Sequence, residues 1–118
     1  MNWYVVKIVF RIICDTGDHT PQFDEQLCLF FAETELEAFQ KARITGIDRE
    51  NSFQNNKQQN VKWEFVDVGE LINIKNIKDG IEVYSQINEY DNAMRYISMI
   101  KEKAHAIEIR AKSTVLST

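Results

Sequence analysis

The sequence has few of the residues that build phosphate loops, disulfide frameworks or membrane spans. Its 118 residues include four glycines and two cysteines. The glycines are scattered through turns, so they form no Gly-rich phosphate-binding loop. No apolar run approaches the ~20 residues of a membrane-spanning helix, and Lys7 and Arg11 interrupt any signal-peptide pattern. Two cysteines without an export signal predict a cytoplasmic protein with reduced thiols.

The charge balance argues against two classes of partner. Eighteen acidic and 14 basic residues give a net charge of -4 at pH 7. An acidic surface gains no electrostatic affinity for nucleic acid or anionic lipid, so we expect neither nucleic acid nor membrane as a partner. The length suffices for one core, which predicts a single domain over residues 1–112 and a frayed tail over 113–118.

The longest β-favouring run is Asn2–Cys14, which contains neither Gly nor Pro. Alternation divides its side chains between two faces. One face is apolar apart from a tyrosine hydroxyl, and the other mixes apolar residues with two charges. The pattern therefore predicts a central strand, or one that lies against a partner. The apolar face is Tyr4, Val6, Ile8, Phe10 and Ile12, and the mixed face is Trp3, Val5, Lys7, Val9, Arg11 and Ile13.

A polar loop over 15–24 precedes a second predicted strand, Glu25–Ala32. Because opposite residues of an antiparallel pair share a face, matching the apolar faces places Ile12 opposite Leu27. This register puts Leu27, Leu29 and Phe31 beside Ile12, Phe10 and Ile8. It also puts Cys14 and Cys28 on opposite faces, a geometry that forbids a disulfide.

Thr34-Glu-Leu-Glu37 forms a capping box, which predicts a helix to about Ile44 that stops at Gly46. Leu36, Phe39, Ala42 and Arg43 lie at helical spacing, and the apolar stripe that they include is narrow. The polar stretch 48–60 reads as loop, with Phe53 as its one large apolar residue.

Three more strands and a helix are predicted in the second half. Val61–Val68 alternates cleanly, with Val61, Trp63 and Phe65 on one face. Asp79-Gly80 between Leu71–Ile77 and Ile81–Ile87 is typical of a hairpin. The predicted order ββαβββα indicates an α+β fold, a mostly antiparallel sheet of about five strands with two helices. The second helix runs from near Asp91 to about Lys112 and has a predicted buried stripe of Met94, Ile97, Ile100, Ala104, Ile107 and Ala111.

Several of these segments together resemble a bacterial family known as domain of unknown function 4288. They are the N-terminal W-Y-V-V-K-I-V-F-R-I-I-C, the loop G-D-H-T-P-Q-F-D-E-Q-L, E-A-F-Q-K-A, K-W-E-F-V-D-V-G-E-L, D-G-I-E-V-Y-S and D-N-A-x-x-Y. The sequence departs at Cys14-Asp15-Thr16, where the family has Cys-Gly-Asp. The resemblance supports the domain boundaries and implies no activity.

The densest titratable cluster is in the polar loop and comprises Asp15, Asp18, His19, Asp24 and Glu25. Such a cluster could hold a divalent cation or supply an acid–base pair. Its spacing matches no motif with an established mechanism, and loops need the same residues for turning alone. We therefore assign no catalytic residue, metal ligand or cofactor, and keep Asp15, Asp18, His19 and Asp24 as a candidate polar site.

The mixed face of the first hairpin is the other candidate site. If both helices cover the apolar face, this face exposes a large apolar patch, which monomers rarely tolerate. Alternatively, a helix or a later strand covers it. The candidate interaction face is Trp3, Val5, Lys7, Val9, Arg11 and Phe30, flanked by Ile13 and Cys28.

Two functions of different class follow. The leading hypothesis is a non-enzymatic protein–protein interaction module with a protein partner or as a homodimer. One specific version, by analogy of fold and size only, is an immunity protein that neutralises a toxin. The rival is a small-molecule- or metal-binding protein, or a small hydrolase, that uses the loop over 15–25.

Overall fold

A computed structural model describes residues 1–116, which fold as a four-stranded antiparallel sheet and two helices in the order ββαββα. The predicted α+β class is confirmed, with four strands instead of five. The chain divides into two compact units, Met1–Ser85 and Gln86–Thr118. The elements are β1 (Asn2–Cys14), β2 (Gln22–Ala32), α1 (Glu35–Asp48), β3 (Asn51–Gln54), β4 (Asn60–Ile74) and α2 (Ala93–Leu116).

The first unit is organised around β1, as its composition predicts. The strand order is β2-β1-β4-β3, so β1 has a neighbour on each side. Its bounds match the predicted Asn2–Cys14, and Val6, Ile8 and Phe10 are completely buried. A long strand without Gly or Pro, paired along both edges, satisfies its backbone groups while it fills the core.

The register between β1 and β2 differs from the prediction. Ile12 lies opposite Gln22, not Leu27, and Leu27 lies opposite Lys7. The shift is five residues along β2, and an odd shift moves every side chain of the strand to the other face. The difference lies in the connection: nine residues, 13–21, separate the paired Ile12 and Gln22, whereas the predicted pairing of Ile12 with Leu27 leaves 14 residues between them, and this difference gives the shift of five.

The observed register places each set of alternating β2 side chains on the sheet face opposite to the predicted one. Cys28 lies opposite Val6 and therefore on the core face, whereas Leu27 lies on the other face. Both cysteines are free, as predicted, but not because they occupy opposite faces. Cys14 lies on the face of Val6 as well, eight residues further along β1, and about 26 Å of strand separates the two thiols.

Thr34 caps α1 as the capping box predicts. Its hydroxyl accepts a hydrogen bond from the Glu37 amide at 3.1 Å. The Glu37 carboxylate reaches back one residue further than expected, to the amide of Glu33 at 3.1 Å. The predicted stop at Gly46 is wrong, because α1 continues to Asp48.

The buried face of α1 consists of the small residues Ala38, Ala42 and Gly46, spaced four apart. Leu36, which was predicted to lead the apolar stripe, is 64% exposed. A Cβ built on Gly46 would clash with the ring of Phe65. Gly46 is therefore a contact residue and not a helix stop, because only glycine lets the helix approach the sheet this closely.

The core lies between α1 and one sheet face. Alternate β1 residues supply its centre, and Trp63 and Phe65 of β4, which were predicted to share a face, both pack on it. The buried core cluster comprises Tyr4, Val6, Ile8, Phe10, Ala32, Ala38 and Ala42. Partly buried residues pack against it, namely Cys28, Phe30, Trp63, Phe65, Val68 and Leu71.

The second half of the sheet contains one long strand where two were predicted. β4 joins Val61–Val68 to the start of the next predicted strand, and the extra residues Val66 and Gly69 bulge from its pairing with β1. The polar stretch 48–60 also contains β3, whose Phe53 stacks on Trp63 at a ring distance of 6.2 Å.

The predicted hairpin between Leu71–Ile77 and Ile81–Ile87 is wrong. The turn itself forms, because the amide of Ile81 donates to the carbonyl of Lys78 and Gly80 has a φ of 82°. Residues 81–87 nevertheless form no strand, and Ile87 is 97% exposed. Tyr84 instead contacts Lys7 of β1, on the sheet face opposite α1.

In the second unit, the amide of Arg95 donates to the side chain of Asn92 at 3.0 Å, so Asn92 and not Asp91 caps α2. The predicted buried stripe is exposed along its length. The predicted tail begins within α2, which includes Ser113 and ends at Leu116, while residues 117–118 lie outside the described residues. Neither described helix is long and apolar enough to cross a membrane.

Candidate interaction surface

The sheet face opposite α1 carries the candidate interaction residues, and we call it the open face. Alternate positions of β1 and β2 lie on it, because partners across the β1–β2 ladder share a face, and β4 adds Ile72 and Ile74 opposite Val5 and Trp3. β1 contributes Trp3, Val5, Lys7, Val9, Arg11 and Ile13, and β2 contributes Phe23, Glu25, Leu27, Leu29 and Phe31.

The exposed apolar part of the open face follows β2. Its members are 39–59% exposed, and Trp3 stacks on Phe31 at a ring distance of 4.9 Å. β2 is an outer strand of the sheet, so one side of this row has no neighbouring strand. We call the row the β2 strip, and it comprises Trp3, Phe23, Leu27, Leu29 and Phe31.

The centre of the open face is covered by the chain itself. Lys7 Nζ donates to the Tyr84 hydroxyl at 2.8 Å and lies 4.5 Å from the centre of its ring. Val5 is 3% exposed and Lys7 is 8% exposed. The hydrogen bond to Tyr84 holds the pKa of Lys7 above its ordinary value, and the charge of Glu25, 3.7 Å away, raises this pKa further.

Only part of the predicted interaction face is exposed. Trp3 and Arg11 are exposed, whereas Val5 and Lys7 are covered and Val9 is half-buried beside Gly69. Phe30 is the clear correction, because it lies opposite Tyr4 on the core face and packs against the core. Cys28 likewise lies on the core face.

Sequence reasoning missed the four β2 members of the strip. Leu27, Leu29 and Phe31 were assigned to the core, and Phe23 was assigned to the loop. The alternation of β2 separates its two faces but carries no mark that tells which one meets α1, since both contain large apolar residues. The position of the turn decides this, and β2 was predicted to begin three residues too late.

The outer edge of β2 is partly occupied. Lys41 of α1 donates from Nζ to the backbone carbonyl of Phe31 at 2.8 Å. A lysine at a strand edge is a common protection against the addition of a further strand. Lys41 thus occupies one backbone carbonyl at this edge, and the side chains of the β2 strip are the exposed apolar groups beside it.

In the polar loop, Asp15 and His19 hold the backbone. Asp15 has a φ of 49°, and its carboxylate accepts from the amide of Asn60 at 2.9 Å. His19 Nε2 accepts from the amide of Cys14 at 3.0 Å, and its Nδ1 lies 2.8 Å from the carbonyl of Thr20. Nδ1–H therefore donates to that carbonyl, so both ring nitrogens serve the turn.

Asp24 is separated from the other members of the candidate polar site. It lies in β2, where its carboxylate accepts from Trp63 Nε1 at 3.1 Å and Gln26 Nε2 at 2.8 Å. Within the described residues, no three His, Cys, Asp or Glu side chains are placed to hold a metal ion. The loop borders an open depression of about 620 Å³ lined by Cys14, Asp15, Thr16, Asp18, His19, Thr20, Gln22 and Gln59.

A family model described as "Domain of unknown function (DUF4288)" matches residues 3–85, more than two thirds of the chain. The matched region coincides with the first compact unit and includes Tyr84. Searches of curated proteins and of solved structures found no match.

Proposed function

Because the chain belongs to the family described as "Domain of unknown function (DUF4288)", which states no activity, we propose a function from the surface of the molecule. The Met1–Ser85 unit is a non-enzymatic protein–protein interaction module, and the β2 strip of the open face is its contact surface. The supporting observation is the β2 strip, five large apolar side chains in one row that are 39–59% exposed.

The area of the strip supports contact with a protein. A fully buried aromatic side chain covers about 150–250 Å², so five half-exposed large side chains present on the order of 400 Å². An exposed apolar patch of this size is at the level where patches on monomers are often functional. At about 25 cal/mol per Å², its burial offsets much of the association cost of about 4–15 kcal/mol.

Polar residues around the strip supply the remaining contact area and the orientation. A specific interface buries about 800 Å² on each partner, roughly twice the strip. Arg11 is exposed on the same face, and the Glu25 side chain is 58% exposed. The net charge of -4 favours a basic partner. A toxin neutralised by direct contact is one class of partner that fits a small acidic binding protein.

The test compares two exposed leucines on different surfaces. Leu29 in the strip is 59% exposed, and Leu36 on α1 is 64% exposed. Each is replaced by photoreactive benzoylphenylalanine in cells that express the chain, and adducts are identified by mass spectrometry. We expect one discrete protein adduct from position 29 and none from position 36. Equal labelling at both positions, or no adduct at position 29, contradicts the proposal.

A folding control accompanies the test. Leu29→Asp is expected to abolish the adduct formed by a probe at position 27 without lowering the denaturation midpoint, because Leu29 belongs to the exposed strip. A midpoint that falls strongly would show that the strip stabilises the unit, and loss of the adduct would then no longer indicate a contact surface.

A further inference from the structure

Six of the apolar residues of α2 follow a heptad repeat. They are spaced alternately four and three residues apart, which is the pattern of the a and d positions of a coiled coil. Ile97 and Ile100 are each 43% exposed, and Ile107 is 52% exposed. The row, which we call the α2 seam, consists of Ile97, Ala104 and Ala111 at a and Ala93, Ile100 and Ile107 at d.

The helix is long enough for such a repeat to matter. α2 has 24 residues, slightly more than three heptads. No described side chain of α2 is buried, so the seam remains accessible to a partner. In a two-stranded coiled coil each a or d side chain enters a hole between four residues of the facing helix, which removes such a seam from water.

The charges beside the seam identify the partner. In a parallel pair, a g residue faces the e residue five positions later on the other helix. This brings Lys103 at g to Glu108 at e, twice by symmetry. One heptad earlier, Tyr96 at g faces Lys101 at e. Neither of these two g–e contacts brings like charges together.

An antiparallel pair fits less well. There g faces g and e faces e, and the register that pairs all six seam residues sets Lys103 against Lys103 of the other copy. The same register sets Lys101 against Lys101 across the e positions, so both contacts are repulsive. The charge pattern thus favours two helices in parallel.

We propose that α2 forms a parallel two-stranded coiled coil with α2 of a second copy of this chain. The proposal is independent of the function proposed for the open face, which belongs to the other unit. Glu108 bonds to Lys112 at 3.0 Å within one chain. Since these side chains are 62% and 72% exposed, respectively, exchanging this contact for one with Lys103 of the second copy costs little.

The experiment is sedimentation equilibrium of the full chain, with two isoleucines as a matched pair. Ile107 is at d and 52% exposed, whereas Ile109 is at f on the far side and 54% exposed. We expect a concentration-dependent dimer of the 13.8 kDa chain. Ile107→Asp should raise its dissociation constant at least about tenfold, and Ile109→Asp should leave it within about twofold. Circular dichroism checks that both variants keep their helix.

Charge exchange tests the parallel orientation. Lys103→Glu and Glu108→Lys should each weaken the dimer severalfold, and the double variant should restore it because the pair is only reversed. A monomer at every concentration overturns the proposal, as do equal effects of Ile107→Asp and Ile109→Asp or a double variant weaker than both single ones. Dissociation by Leu29→Asp also overturns it, because the copies would then meet through the open face.

Discussion

Lys7 Nζ lies 2.8 Å from the hydroxyl of Tyr84, a residue 77 positions further along the chain. Lys7 is in the middle of the central strand and nearly buried, a position in which a lysine without a partner is costly. The ring and hydroxyl of Tyr84 and the carboxylate of Glu25 provide that partner. This contact ties the irregular segment after β4 to the open face within the first compact unit.

Removing the Tyr84 hydroxyl should therefore destabilise the first unit. We expect Tyr84→Phe to lower the urea midpoint, because Lys7 loses its hydrogen bond but keeps the ring. Tyr84→Ala should lower it further. The pKa of Lys7, followed by NMR of its ammonium group, should fall toward its ordinary value in both variants. Tyr90→Phe in the second unit is the control, and a midpoint for Tyr84→Ala equal to that of Tyr90→Phe would disprove the role of the contact.

Gly46→Ala should destabilise the protein although it improves helix propensity. At an exposed helical glycine the change stabilises by about 1 kcal/mol. Here the new methyl group meets the Phe65 ring, and overpacking costs about 1–3 kcal/mol. Phe65→Leu in the same chain should recover part of the loss. Urea unfolding measures all three variants, and a stabilised Gly46→Ala variant would mean that α1 can move away from the sheet.

Thr34→Ala should cost about 1 kcal/mol, because the change leaves the Glu37 amide without its acceptor. Thr34→Ser keeps the hydroxyl and should remain close to the natural chain. The two variants are compared by their free energies of unfolding in urea. Equal losses for alanine and serine would show that the methyl group of Thr34, and not its hydroxyl, stabilises this end of α1.

The protein should lose stability in acid, because protonation of Asp67 removes its stabilising contact with Arg43. The bidentate contact with Arg43, at 3.0 Å for each bond, and the amide of Val68 hold the pKa of Asp67 below its ordinary value of 3.8. This contribution is fully present above the ordinary pKa and is lost as the pH falls through the lower pKa of the folded state. We expect Arg43→Met to reduce the loss of stability between about pH 5 and pH 2. An unchanged profile would exclude the pair as its cause.

The sequence by itself determined the features that depend on neighbouring residues. The bounds of β1 follow from an uninterrupted β-favouring run, and the start of α1 follows from Thr34 and Glu37, whose hydrogen bonds span only a few residues. The turn at Gly80 is local in the same sense. The α+β class then follows from the types of element and their order.

Tertiary structure decided which faces meet. Leu27 and Cys28 are both suited to a core, and only the length of the loop before β2 placed Cys28 inward and Leu27 on the open face. Gly46 resembles a helix stop until the ring of Phe65 is known to lie against it. Residues 81–87 have the composition of a strand, but Tyr84 contacts Lys7 from outside the sheet and no strand forms there. In each case the deciding contact joins parts of the chain that are distant in sequence. The local sequence pattern does not reveal which distant residues will pack together.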